Sequence, residues 1–409
     1  MNCRHCGARV KLTLVDLGTA PPSNAYLTQA RLQAPEKWFP LKVLVCEHCW
    51  LVQTEDFTQV KELFDPDYAY FSSFSSSWLA HAERYAAQLT SQLNLGAASH
   101  VVEVAANDGY LLQFFKNRDI PCTGIEPTAS TAAAARLKGI SIVEEFFGTN
   151  LAREMTARGM QADLMAANNV LAHVPDINDF VAGFAILLKP QGVATFEFPH
   201  LLNLIAENQF DTIYHEHFSY LSLTAVESIF TANGLRIFDV QEHTTHGGSL
   251  RVFAQRADSG VRPRTSQVDD LLQRERATGI TRLEYYARFQ GHAEKVKYDF
   301  LAFLLEAKRG GRSVAGYGAA AKGNTLMNYA GIRADLISFV VDRNPAKQGK
   351  FLPGSRIAIV DENHLRQHKP DYVVILPWNL KTEVREQLQY VKAWGGKFVT
   401  AVPVLEVSS

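Results

Sequence analysis

The chain has 409 residues, 47% apolar and 20% charged, with a formal net charge of −1 at pH 7. That length suggests two or three domains with enough apolar material for sizeable cores. The charge balance excludes a broad basic surface for nucleic acid, and no apolar run reaches the roughly 18 residues that a membrane helix needs.

The first stretch, "MNCRHCGARV", lacks the apolar segment of a secretion signal, so the expected location is the cytoplasm. Four of the five cysteines form two C-x-x-C pairs, Cys3 with Cys6 and Cys46 with Cys49. A two-residue gap lets both thiolates of a pair face one ion, and two pairs complete a four-sulfur shell for structural Zn2+. Disulfides and plain buried thiols are the competing readings, and a cytosolic chain disfavours the first. A closed shell leaves no open position, so the metal is expected to hold the fold rather than do chemistry. The long interval between the pairs calls for a small zinc-binding domain, expected over residues 1–75. Cys122 stands alone and reads as a strand residue.

From residue 98 the pattern alternates between strand and helix. "SHVVEVA", "CTGIEP", "ADLMAANNV" and "VATFEFP" read as strands. "NDGYLLQFFKNRD" and "INDFVAGFAILL" read as helices, the second ended by "KPQG". This alternation predicts an α/β domain with a mostly parallel sheet over residues 76–260, with ligands at the carboxyl ends of the strands. "EVAANDG" ends its strand with small residues and one glycine, and Glu126 ends the next strand, where a carboxylate can accept hydrogen bonds from ribose hydroxyls. With a single glycine, and with Glu103 and Asp108 acidic, the loop suits a pyrophosphate poorly. S-adenosylmethionine carries no phosphate and has a cationic sulfonium and amine, so acidic neighbours favour it. An ordinary strand-to-helix turn is the bland alternative.

"YHEHFSY" (214–220) clusters two histidines, a glutamate and two tyrosines. If it forms a strand, His215 and His217 share one face and Glu216 points to the other. The spacing differs from H-E-x-x-H, so metal binding here is the weaker reading and a polar structural turn the stronger rival. "HTTHGGS" (243–249) is a further candidate loop, with His246 facing a substrate beside a flexible glycine pair.

Residues 268–309 carry helical spacing with a break at Gly279, joining to a second α/β unit expected over residues 261–409. "RSVAGYGAAAKGNTLMNYAG" reads there as strand, glycine turn and helix. Taken alone, Gly316, Gly318 and Asp342 suggest a nicotinamide dinucleotide site, and an NAD(P)-dependent oxidoreductase acting on a nucleotide sugar is the alternative function. Lys322 and Asn324 at the start of the helix, with Tyr317 adding a hydroxyl, suit the pyrophosphate of a nucleotide sugar instead.

The combination "VEVAANDGYLL", "GIEP", "NNVLAHVPD", "LLKPQGVATFEFP", "YHEHFSYLS" and "VAGYGAAAKGNT", behind two cysteine knuckles, resembles the sugar C-methyltransferases. These S-adenosylmethionine enzymes methylate C-3' of nucleotide-linked 4-keto-6-deoxy sugars. The resemblance runs from Cys3 to about Pro403, with "AANDG" in place of the expected "SNDG". It implies an α/β fold in which a Rossmann-like methyltransferase sheet is flanked by the zinc lobe and a C-terminal Rossmann-like lobe. It also implies His217 as base, Tyr214 and Glu216 beside it, His173 as rival base or enolate donor, and Tyr68 reaching in from the N-terminal region, with Tyr70 next to it on the substrate. Glu103, Ala105, Asn107, Gly109 and Asn168 would line the methionine end of the methyl donor. Glu126 would hold its ribose, and Phe146 or Phe147 its adenine unless that pair is plain core. The implied partner is a dTDP- or GDP-linked 4-keto-6-deoxy sugar, the expected state a monomer, and the expected chemistry methyl transfer through an enolate. A zinc-bearing binding module with a degenerate enzyme core is the third possibility.

Overall fold

The computed structural model describes residues 1–55, 57 and 71–408. Tyr68 and Tyr70 lie outside the described residues. "LTLVDLGTA" buries Val15 and Leu17 and exposes Asp16 and Gly18, and it forms β1 (Leu12–Ala20). It pairs antiparallel with β2 (Phe39–Val45), which pairs with β3 (Val52–Thr54).

The second sheet begins after the helix Ser76–Gln92, whose first turn is capped by the Ser75 hydroxyl, which accepts from the Trp78 amide. Strands β4 (Val101–Val104), β5 (Cys122–Ile125), β6 (Ser141–Val143), β7 (Ala162–Asn168) and β8 (Leu188–Pro199) run parallel. After β9 (Ser219–Tyr220), which pairs with β3, come β10 (Leu235–His243) and β11 (Ser249–Arg256). These add an antiparallel edge, giving seven strands in the order β10-β11-β8-β7-β4-β5-β6. The central strands are near-continuous apolar runs because helices cover both faces. "KPQG", expected to end a helix, lies inside β8 instead. The helix stops at Leu187, and residues 189–192 bulge between the paired positions Leu188 and Val193.

Gly279, with φ 109°, ends the helix Ser266–Thr278 at the expected break, and the helix Phe289–Arg309 leads into the last lobe. Its strands β12 (Val314–Tyr317), β13 (Val340–Val341), β14 (Ile359–Val360), β15 (Tyr372–Ile375) and β16 (Lys397–Thr400) are parallel. An antiparallel β17 (Glu406–Ser408) completes the order β14-β13-β12-β15-β16-β17.

The N-terminal part is buried in two different cores. Cys3, Cys46, Cys49 and Leu51 pack with Ile177 and Val226 of the methyltransferase sheet's helices. Val15, Val43 and Val45 pack with Phe289, Phe300 and Met327 of the C-terminal lobe. Burial on both sides fixes the three parts around a common seam, and the candidate site lies along it. Among the described residues no helix is long and apolar enough to cross a membrane.

Candidate active site

The four knuckle sulfurs all lie within 4.8 Å of one another, with Cys3–Cys49 at 3.5 Å and Cys6–Cys46 at 3.6 Å. A tetrahedral shell with Zn–S bonds of about 2.3 Å needs sulfurs about 3.8 Å apart, so the set fits a structural zinc. The backbone turns round the site: Gly7 N donates to Cys3 O, and Trp50 N donates to Cys46 O. The Gln53 side-chain amide donates to Cys3 Sγ at 3.3 Å and accepts from Arg4 N, orienting one ligand from behind. The ring of His5 bonds Asn178 at 2.8 Å and Ser228 at 3.1 Å, which docks the knuckle on the methyltransferase helices.

At the carboxyl end of β4, Ala105, Asn107 and Gly109 all take positive φ, 58°, 49° and 75°. At Gly109 space is short as well: an added Cβ would sit 2.3 Å from Ile140 Cδ1. Glu126 accepts from Asn107 N and Thr128 N, each at 2.9 Å, so its carboxylate pins this loop to the end of β5. Asp108 turns away to Lys138 at 3.2 Å. Neither oxygen of fully buried Glu103 has a well-aligned hydrogen-bond partner among the described residues, and burial, opposed by the nearby Tyr110 hydroxyl, pushes its carboxyl well above the usual range. Asn168 Oδ1 and Asn169 Oδ1 are buried and unpartnered as well. Orphaned acceptors gathered at the ends of β4 and β7 suit a ligand bearing a cationic amine, as S-adenosylmethionine does.

The two phenylalanines separate. Phe147 packs edge-on against Phe180 and Phe184, with ring centroids at 5.6 and 5.2 Å, and is partly buried against the core. Phe146 is 59% exposed.

"YHEH" makes a turn rather than a strand, because His217 N donates to Tyr214 O at 2.9 Å. The turn removes the alternation that a strand would have given. His217 Nδ1–H donates to Thr212 O at 2.8 Å, leaving Nε2 as the basic nitrogen. Its ring lies 3.9 Å from that of Tyr214 and 4.6 Å from that of His173, centroid to centroid. Burial, then the neighbouring His173, holds the His217 pKa well below 6.5. Burial lowers His173 to about 4. Both imidazoles are thus neutral near pH 7. Glu216 is buried. Its Oε1 accepts from Asn24 N and Nδ2 at 3.3 and 3.2 Å, while Oε2 has no partner among the described residues. His215 Nε2 bonds the Phe39 and Pro40 carbonyls, so that ring ties the turn to β2.

His246, at φ 55°, bonds Asn169 Nδ2 through Nε2 at 3.1 Å and sits edge-on to Trp78. This links the glycine loop to the end of β7, and burial lowers its pKa to about 4. Lys322 Nζ donates to Asn379 Oδ1 at 2.7 Å and lies 4.8 Å from the Trp378 ring. Asn324 is committed elsewhere: its Nδ2 donates to Ser23 O at 2.7 Å, leaving Oδ1 buried and unpartnered. Tyr317 is buried in the core of the C-terminal lobe with its hydroxyl unpartnered among the described residues. The glycine turn before this helix is filled from within. Ala319 N donates to Asp342, while Ala319 O accepts from Tyr26 OH at 2.6 Å and Lys347 Nζ at 2.8 Å.

A buried ion network escaped the sequence reading. Glu197 on β8 receives His81 Nε2 at 2.9 Å, Arg251 Nη2 at 2.6 Å, Arg251 Nε at 3.1 Å and Thr245 Oγ1 at 3.1 Å. Burial pushes its carboxyl up, but the His81 hydrogen bond and the Arg251 charge prevail and leave it at about 2. A charged residue inside each of the apolar runs "VATFEFP" and "SLRVFAQ" was the available signal.

Comparison with known proteins gives three family matches along the chain. Residues 3–64 match the family described as "Putative zinc binding domain", 78–240 a "Methyltransferase domain" and 244–403 the "C-methyltransferase C-terminal domain". The chain is 34% identical to C-methyltransferase NovU of Streptomyces niveus, over 100% of this chain and 96% of that protein. Solved structures match only in part. A magnesium protoporphyrin IX methyltransferase from Synechocystis with bound S-adenosylmethionine is 16% identical over 44% of this chain and 79% of that one, with TM-score 0.34. A Burkholderia thailandensis 1,6-didemethyltoxoflavin-N1-methyltransferase is 17% identical over 51% and 96%, with TM-score 0.37. End-to-end identity with NovU, together with the C-methyltransferase-specific C-terminal match, decides the assignment: the chain belongs to the C-methyltransferase family, S-adenosylmethionine-dependent enzymes, with a zinc-binding N-terminal part.

Proposed function

We propose that the enzyme methylates C-3' of a nucleotide-linked 4-keto-6-deoxy sugar through an enolate. The observation that carries this reading is the cluster of His217, His173 and Tyr214, in which one imidazole presents a free basic nitrogen among hydrogen-bonding rings. Methylating carbon requires a carbanion, and a ketone next to C-3' makes that hydrogen removable. His217 Nε2 takes the proton, and the bonding pair moves into the C-4' carbonyl. Tyr214 and His173 donate to the oxygen as charge gathers there, and Tyr68 is assigned to the same group. The carbanion then attacks the S-methyl group, and the C–S pair returns to sulfur, giving S-adenosylhomocysteine and a 3-C-methyl sugar.

Glu103, Asn168 and the loop Ala105–Gly109 would hold the amino acid end of the methyl donor, and Glu126 its ribose. Glu216, Tyr70 and His246 would bind the sugar. The nucleotide, dTDP or GDP, is assigned to the C-terminal lobe. The runner-up dinucleotide site loses its support because the amide and carbonyl of the glycine turn are already taken by Asp342, Tyr26 and Lys347.

The test is deuterium wash-in at C-3' from heavy water with the methyl donor omitted. His217→Asn should lower the exchange rate by about 10²–10⁴-fold, the usual worth of a positioned base. Exchange at the wild-type rate would remove His217 from the base's role.

A further inference from the structure

A buried imidazole held neutral is a weak base, so it can take a proton from carbon only if the enolate is strongly stabilised. The two neutral rings and a phenol already placed here are modest donors. A cation at the oxyanion would supply more, and the seam contains a lysine, Lys322, whose ammonium form burial opposes and the Asp211 charge supports.

Lys322 is the second residue of the helix Ala321–Ala330. One turn on, Thr325 donates from Oγ1 to Ile213 O at 2.8 Å, immediately before Tyr214. Positions i and i+3 share a helix face, so Lys322 faces the 210–217 segment rather than the glycine turn behind it. On that side lies Asp211, fully buried, whose Oδ2 accepts from Trp378 Nε1 at 2.8 Å and whose Oδ1 has no partner among the described residues. The His246 loop closes the other side: a Cβ on Gly247, at φ +90°, would meet the Trp378 ring at 2.6 Å. Trp378 thus touches Asp211, Lys322 and the His246 loop, and Asp211 lies one residue before Thr212, whose carbonyl orients His217. No carboxylate comes within ion-pair distance of Lys322 among the described residues; its one bond is to neutral Asn379. The Lys322 charge also reaches both rings, adding to the burial that lowers His217 and His246.

We propose that Lys322 Nζ contacts the C-4' keto oxygen of the substrate and carries the enolate charge, with Asp211 as its positioning residue. This rests on the keto-sugar reading above and moves Lys322 from the diphosphate to the reacting end. Electron balance is unchanged: the C-3' proton goes to His217, its electron pair to the carbonyl oxygen beside the ammonium, and from there to the new C–C bond.

The experiment uses the full chain with dTDP- and GDP-linked 4-keto-6-deoxy glucose. C-3' deuterium exchange is measured against substrate concentration without methyl donor, together with thermal unfolding, for the wild type, Lys322→Met, Lys322→Arg and Asp211→Asn. Lys322→Met should lower exchange at saturation about a hundredfold or more with KM within about threefold, and Lys322→Arg should retain part of the rate. Burial raises Asp211 to about 6, against opposition from Lys322 and Trp378, so the wild-type exchange profile should fall near that pH and Asp211→Asn should abolish that limb. A tenfold or greater rise in KM with unchanged exchange at saturation would assign Lys322 to the diphosphate and overturn the proposal. Unchanged kinetics in Lys322→Met would overturn it too. If Lys322→Met does not fold, full wild-type exchange in Asp211→Asn with an unaltered profile would do so. Absence of wild-type exchange on either keto sugar strikes at the substrate reading itself, and that arm is read without any variant.

Discussion

Arg251→Met tests the energetics of the network beside the site. Arg251 is 1% exposed and Glu197 fully buried, and the arginine also lies 4.6 Å from the Tyr85 ring. Folding moves the Glu197 carboxyl from 4.5 to about 2. A difference of about 2.5 units at 1.36 kcal/mol each means that its neighbours favour the charged form by about 3 kcal/mol. Removing the arginine leaves a carboxylate with only His81 and Thr245, and truncating one partner of a buried pair costs about 3–5 kcal/mol. The variant should therefore lose about 3 kcal/mol, or about 6–12 °C in Tm for a domain of this size. Glu197→Gln combined with Arg251→Met removes both charges and should recover at least half of that loss. Thermal and urea unfolding at pH 7.5 of the wild type, the two single variants and the double variant completes the cycle. If Arg251→Met is as stable as the wild type, or if the double variant equals the sum of the singles, the pair is not coupled and the argument fails.

Two further outcomes are expected. Removing zinc with a strong chelator, or Cys46→Ser, should release one equivalent of zinc per chain and lower Tm by several degrees, because the knuckle is part of the core shared with the methyltransferase helices; metal analysis with calorimetry checks this. His173 and His246 titrate at about 4 when folded against 6.5 in an open chain. The unfolded state binds more protons between those values, so stability is full above about pH 6.5 and declines as pH falls toward 4. Each histidine contributes at most about 2 kcal/mol of that loss at pH 5, and Tm measured from pH 8 to 5 should fall without a plateau below 6.5.

Much of this was legible in the chain itself. The cysteine spacing specified a four-sulfur shell, because two-residue gaps constrain where thiolates can point. Alternating apolar runs and helical segments specified a parallel sheet, because buried strands have no polar face to show. Motif resemblance pointed to the family and marked Glu126, His173, Tyr214 and His217 as residues to examine.

Local pattern could not reveal what distant segments do to one another. "YHEH" was open to strand or turn as letters and is a turn, because Tyr214 and His217 close on each other and the Thr212 carbonyl takes the His217 Nδ1 proton. Phe146 and Phe147 are equivalent as letters; only the helix carrying Phe180 and Phe184 decides which packs against the core. The glycine turn of the last lobe reads as a nucleotide cradle until Tyr26, some 300 residues earlier, fills it. Composition and spacing thus determined most of the elements and each cysteine pair, since those depend on neighbours a few residues apart, while the two pairs meet in one site only through the fold. The direction of Lys322, the pairing of Glu197 with Arg251 and the tautomer of His217 were decided only when three parts packed on one seam, since charge and hydrogen bonding follow distance in space.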